Sequence, residues 1–199
     1  VDFMKAYGSI FAAALLAVCH PVFAQFDPTK VAAEPDFISR QFTTTSNFST
    51  PAFAAGRENF TSYAEAVNLI NALAHRHSNA KIEAIGKSQQ GRPLSLLVLT
   101  STRGFNASLP TVMLMAQQHG NEPAGGEASL VLAKMLLEEK AQLLDRVNVL
   151  IMPNTNPDAT ELFKRETING IDINRDHLLL RIPESQAIAA TLYKYNPQL

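Results

Sequence analysis

Cysteine is all but missing from this 199-residue chain. The one copy, Cys19, falls in an amino-terminal stretch that reads as removable, so the mature chain has no disulfide to staple it. An excess of either charge is missing too. The 17 Lys and Arg against 18 Asp and Glu are spread along the sequence, which excludes the basic footprint that nucleic acid or an anionic membrane surface requires. No internal repeat or low-complexity block competes with a globular reading. What is present is 46% hydrophobic residues, enough at this length for one substantial core and one domain. A small-molecule or peptide partner is the class these exclusions leave.

Met4-Lys5, the apolar run Ile10 to Val18 and the small-residue site Val22-Phe23-Ala24 form a secretory signal, with cleavage expected after Ala24. Its apolar core is too short to span a bilayer, and no other membrane association is expected. Val1, Asp2 and Phe3 precede the plausible start. Leu16-Ala17-Val18-Cys19 loosely resembles a lipid-attachment signal, although Val18 is large for that position. Export without cysteine chemistry points to a periplasmic or secreted bacterial protein.

The chain therefore divides into a signal at 1–24, an extended arm at 25–60 rich in Thr, Ser, Pro and isolated Phe, and a domain at 61–199. Ser62 and Glu65 form a capping-box signature ahead of Ala66, Leu69, Ile70, Leu73 and Ala74 at helical spacing. Strands are predicted over 81–86 and 94–100, joined by Gln89-Gln90-Gly91-Arg92-Pro93, and then over 111–117 and 147–152, both nearly all apolar. Helices are predicted over 123–140 and 183–195, each opened by a proline at its first position. A polar loop occupies 153–177. The alternation predicts an α/β fold with a mixed, mostly buried central sheet and helices on both faces, whose ligand crevice lies at the carboxyl ends of the strands.

Two polar clusters sit at such strand ends. His119-Gly120-Asn121-Glu122 follows the third strand, and if a helical turn begins near Asn121 the imidazole and the carboxylate converge on one divalent ion. Gly120, Gly125 and Gly126 permit the close backbone approach this needs. The second cluster runs from Asn154-Thr155-Asn156-Pro157-Asp158 through Arg165 to Asn169-Gly170-Ile171-Asp172-Ile173-Asn174-Arg175-Asp176. So polar a loop is costly to order unless its groups bind one another or a ligand. Its two arginines suit a carboxylate ligand; equally, they could pair with Glu161, Asp172 or Asp176 on a solvated surface. His75 and His77 sit at a helix carboxyl end, where their charge is favourable, and His177 reads as a loop residue.

Taken together and in order, the stretches Ile85-Gly86-Lys87-Ser88 to Gly91-Arg92-Pro93, His119-Gly120-Asn121-Glu122-Pro123, Asn156-Pro157-Asp158, Gly170-Ile171-Asp172-Ile173-Asn174-Arg175 and Pro183-Glu184-Ser185, with Tyr63 and its helix, resemble the zinc carboxypeptidase family. The resemblance implies one Zn2+ held by His119 and Glu122, Arg165 as the group that stabilises the developing oxyanion, and Asn174 and Arg175 as the pair that grips a terminal carboxylate. It also implies a second zinc histidine on a later strand and a general-base glutamate further on, neither of which these residues supply. The chain is thus expected to be the amino-terminal part of the catalytic domain, truncated at its carboxyl end and inactive alone, with strands left unpaired and prone to aggregate. Asn121 stands where many members carry arginine, and Ala159 where glycine is usual. The expected substrate is a peptide or a small acylated amino acid, so the competing readings are a deacylase of N-acyl amino acids and a noncatalytic module that binds peptide carboxyl ends.

Overall fold

Ser62 opens the first helix as its sequence predicts: its hydroxyl accepts from the Glu65 N–H while the Glu65 carboxylate accepts from the Ser62 N–H. This helix, α1 (Tyr63–Arg76), buries Ala66, Ile70 and Leu73 on one face. The computed structural model describes residues 49–199; the signal over 1–24 with Ala24 and Cys19, and the arm as far as residue 48, lie outside the described residues. In the described part of the arm, the Ala52 N–H donates to the Thr61 hydroxyl, and Thr61 in turn donates its N–H and hydroxyl to Glu127.

Beyond α1 come β1 (Ala80–Lys87), β2 (Pro93–Leu99), β3 (Thr111–Met115), α2 (Pro123–Glu138), β4 (Asn148–Met152), α3 (Pro157–Glu161) and α4 (Pro183–Tyr195). The sheet order is β1-β2-β4-β3, antiparallel except for the parallel pair β3 and β4. Alternation along β2 sends Leu97 and Leu99 to one face, where α1 and α2 cover them with Ile70, Leu73, Leu130 and Leu137. Leu94, Leu96 and Val98 go to the other face, against Ile182 and against Ala187 and Ile188 of α4. The expected mixed sheet with helices on both faces is present. Each fully buried Leu or Ile contributes roughly 1.5–3 kcal/mol relative to exposure.

Two local readings are corrected. The third strand stops at Met115 because Gln117 adopts a positive φ of 49°, which turns the chain out of the sheet. The polar stretch after β4 is not all loop: Asn156 caps the short helix α3, accepting from the Ala159 N–H, with Pro157 at its first position. Five residues are too few to reveal a helical period. The outer edge of β3 is partly paired, because Gln198 N–H donates to Thr111 O and Met113 N–H to Leu199 O. Among the described residues no helix is long and apolar enough to cross a membrane.

Because β3 and β4 are parallel neighbours, the loops that leave their carboxyl ends emerge side by side. Thr155 fastens them together, its N–H and hydroxyl both donating to Ala116 O at 3.0 Å.

Candidate metal centre

His119 is 3% exposed and Glu122 follows it through a tight turn closed by the Glu122 N–H on His119 O, 3.1 Å. The pair converges: His119 Nδ1 lies 3.0 Å from Glu122 Oε1. The convergence does not come from a shared helical face as the spacing suggested, since Glu122 is the residue that precedes helix α2 and has φ −118° and ψ 70°. A turn before the helix achieves it, leaving the Glu122 carboxylate exposed toward solvent.

The opposite ring nitrogen is committed. His119 Nε2 lies 3.0 Å from Asp172 Oδ1, and Arg165 Nη1 lies 3.1 Å from His119 Nδ1. An ionised carboxylate only accepts and a guanidinium only donates, so the tautomer that satisfies Asp172 and Arg165 together carries its proton on Nε2 and presents the Nδ1 lone pair beside Glu122 Oε1. Burial pushes the Asp172 carboxyl up, but donation from His119, the Asn174 N–H and Arg165 outweighs it and holds the group below its ordinary pKa. Arg165 also reaches Glu122 Oε1 at 3.3 Å and, through Nη2, Asp172 Oδ2 at 3.0 Å.

The donor set tests whether a divalent cation suits this place. Two acceptors 3.0 Å apart, Nδ1 and Oε1, repel unless positive charge faces both, and the Arg165 guanidinium supplies that charge here. An imidazole nitrogen and a carboxylate oxygen, with the imidazole's other nitrogen donating to a carboxylate behind it, form the ligand pair and outer support that zinc takes. The residues present fit the ion as a two-ligand set. Among the described residues no group of three or more His, Cys, Asp or Glu is placed to hold a metal.

Asn174 and Arg175 occupy a 3-10 turn, Ile173–Arg175, directly after Asp172, whose side chain caps it by accepting from the Asn174 N–H at 2.9 Å. Both side chains are exposed, and among the described residues the Arg175 guanidinium meets only the Asn174 carbonyl, at 3.4 Å. The turn is anchored by Asp176, which is fully buried and accepts from the N–H groups of Arg181 and Ile182 and from the Ser185 hydroxyl. Of the surface pairings of Arg165 and Arg175 with Glu161, Asp172 or Asp176 that the sequence left open, Arg165 with Asp172 is present, while Asp176 pairs with Arg181. His177 Nε2 meets Gln118 Oε1 at 2.6 Å. Asp172 is the residue whose part in the site the sequence does not reveal, since nothing local ties it to His119.

The chain is similar to known proteins along most of its described length. The sequence model of the zinc carboxypeptidase family matches residues 66–193. "Carboxypeptidase 2" of Trichophyton rubrum is 33% identical over 124 residues, 59% of this chain and 23% of that protein. "Carboxypeptidase E" of Caenorhabditis elegans is 33% identical over 139 residues, 51% of this chain and 29% of its own length. The chain thus spans about a quarter of the length of these curated relatives. In fold it is similar to a metallo-carboxypeptidase from Burkholderia cenocepacia, with a TM-score of 0.62 and 24% identity over 69% of this chain and 39% of that one. Carboxypeptidase A from Helicoverpa armigera gives a TM-score of 0.61 at 22% identity, over 69% and 43%. With the family's model covering α1 to α4, the parallel strand ends and the loops between them, this chain belongs to the zinc carboxypeptidase family.

Proposed function

We propose that this chain carries the first part of the active site of an exported, zinc-dependent carboxypeptidase that hydrolyses the last peptide bond of a substrate. The observation that carries the reading is the state of His119: its Nε2 is held by Asp172, which leaves Nδ1 beside the Glu122 carboxylate as a preoriented ligand pair. His119 and Glu122 would hold the ion. When bound, zinc would lower the pKa of a water and polarise the scissile carbonyl. Arg165, already within hydrogen-bond distance of His119 and Glu122, is the cation that would meet the negative charge developing on the carbonyl oxygen. The Arg175 guanidinium and the Asn174 amide, exposed on an anchored turn, would take the terminal carboxylate, which confines cleavage to the chain end.

The third ligand and the glutamate that moves the proton are proposed to come from residues encoded after Leu199. The bonds of Gln198 and Leu199 to Thr111 and Met113 advance in the same direction along both segments, so continuation of this run would climb beside β3 toward His119. Periplasmic or secreted localisation is proposed on the signal over 1–24.

The test is the complete gene product, assayed for metal content and for release of carboxyl-terminal residues. About one zinc per chain and chelator-sensitive release support the reading. Metal-free, inactive protein refutes it, and hydrolysis of N-acyl amino acids without release from peptides would move the assignment to a deacylase.

A further inference from the structure

The ligand loop rests on α3 with no side chain between them. A Cβ added to Gly120 would lie 2.2 Å from the Ala159 carbonyl carbon and 2.3 Å from the Thr160 nitrogen, so backbone meets backbone there. Two hydrogen bonds clamp the contact from either end of α3: Asn156 Nδ2 donates to Gln118 O at 3.1 Å, and the Asn121 N–H donates to Lys164 O at 3.1 Å. Any shift of α3 therefore moves residues 118–121, and with them the imidazole of His119.

The far side of α3 is fixed by Asp158, which is 1% exposed. It accepts from the Ser88 hydroxyl at 2.8 Å, the Gln90 N–H at 2.9 Å and Arg92 Nη1 at 2.7 Å. All three donors belong to the β1–β2 turn, which is itself closed by Ser88 N–H on Arg92 O, Gly91 N–H on Ser88 O and Arg92 N–H on Ser88 Oγ. Gly91 holds φ +83° there. A rigid turn, a buried carboxylate, a short helix and a side-chain-free contact form one continuous mechanical path.

We infer that Arg92 and Asp158 are positioning residues for the metal ligands, setting the spacing of His119 and Glu122 through α3 and Gly120. The inference rests on the metallopeptidase reading above. An ion pair whose only task was stability would leave the ligand geometry alone once the protein is folded. A positioning pair would not, because it is the charged tie of α3 to the β1–β2 turn on the side away from the ligand loop.

The experiment uses the complete gene product, with zinc affinity measured by competition and the ligand field read from the visible absorption of the cobalt-substituted protein. In Arg92→Met, at temperatures well below its unfolding, zinc affinity is expected to fall about tenfold and the cobalt bands to shift, with Arg92→Lys recovering most of both. Ser88→Ala, which removes one of three donors and leaves the ion pair, is expected to show the same shift in smaller measure and keeps the test open should Arg92→Met fail to fold. Folded variants with unaltered affinity and unaltered cobalt bands would overturn the inference while the unaltered protein, by binding zinc, upheld the reading beneath it. Failure of the unaltered protein to bind either metal would overturn both.

Discussion

His119 and Arg175 stand at the ends of the two loops leaving parallel strands, and they are built in opposite ways. His119 is buried and both its ring nitrogens are engaged, by Asp172 on one side and by Arg165 and Glu122 on the other. Arg175 is exposed, and its guanidinium meets one neighbouring carbonyl at the limit of bonding distance. On the proposed roles, His119 would hold an ion with its orientation already settled by the fold, whereas Arg175 would capture a substrate carboxylate with its donors available and its backbone anchored through Asp172 and Asp176.

The contrast breaks most severely at His119. His119→Ala in the complete gene product is expected to drop zinc from about one per chain to a trace and to abolish turnover, measured by metal analysis and carboxyl-terminal release. Arg165→Ala comes next, with kcat falling about 10²- to 10³-fold and KM changing much less, because a guanidinium matched to a developing oxyanion acts in the transition state. For Arg175→Ala the split reverses: KM is expected to rise about 10- to 100-fold with the smaller effect on kcat, as loss of a charge-assisted bond to substrate requires. Equal kinetic signatures for the two arginines would erase the distinction drawn between them.

The smallest effect concerns stability and pH. Glu184 is fully buried; burial raises its pKa first of all, the Gln89 N–H opposes this, and the nearby Asp158 carboxylate adds to it. A carboxyl with a raised folded pKa stabilises the fold most at low pH, and its contribution is lost as pH rises through the folded value. Glu184→Gln is therefore expected to raise Tm by about 2–4 °C at pH 7 and to lose that advantage near pH 4, read from thermal melts across that range.

Much of the fold was legible because its signals are local. Pro183 opens α4 and Ser62 with Glu65 caps α1, each at the residue the sequence indicated. The runs at 111–115 and 148–152, apolar in every residue after the first, are strands of the sheet. The site was legible in part. His119 and Glu122 could be paired from their spacing, though the turn that unites them differs from the helical one expected. Asp172 could not be tied to His119 across 53 positions, since only the parallel pairing of β3 with β4 brings their loops together. The partners of Asp158 were invisible for a similar reason, lying 66 to 70 positions away in the β1–β2 turn. Long-range polar contacts leave no periodic trace.

The fold offers His119 through Nδ1, with Glu122 beside it and Asp172 behind. Anomalous diffraction at the zinc edge from crystals of the complete gene product tests it most directly. A single peak bonded to His119 Nδ1 and a Glu122 oxygen, with Nε2 still on Asp172, is expected. A peak on Nε2, or one that leaves both residues untouched, would contradict it.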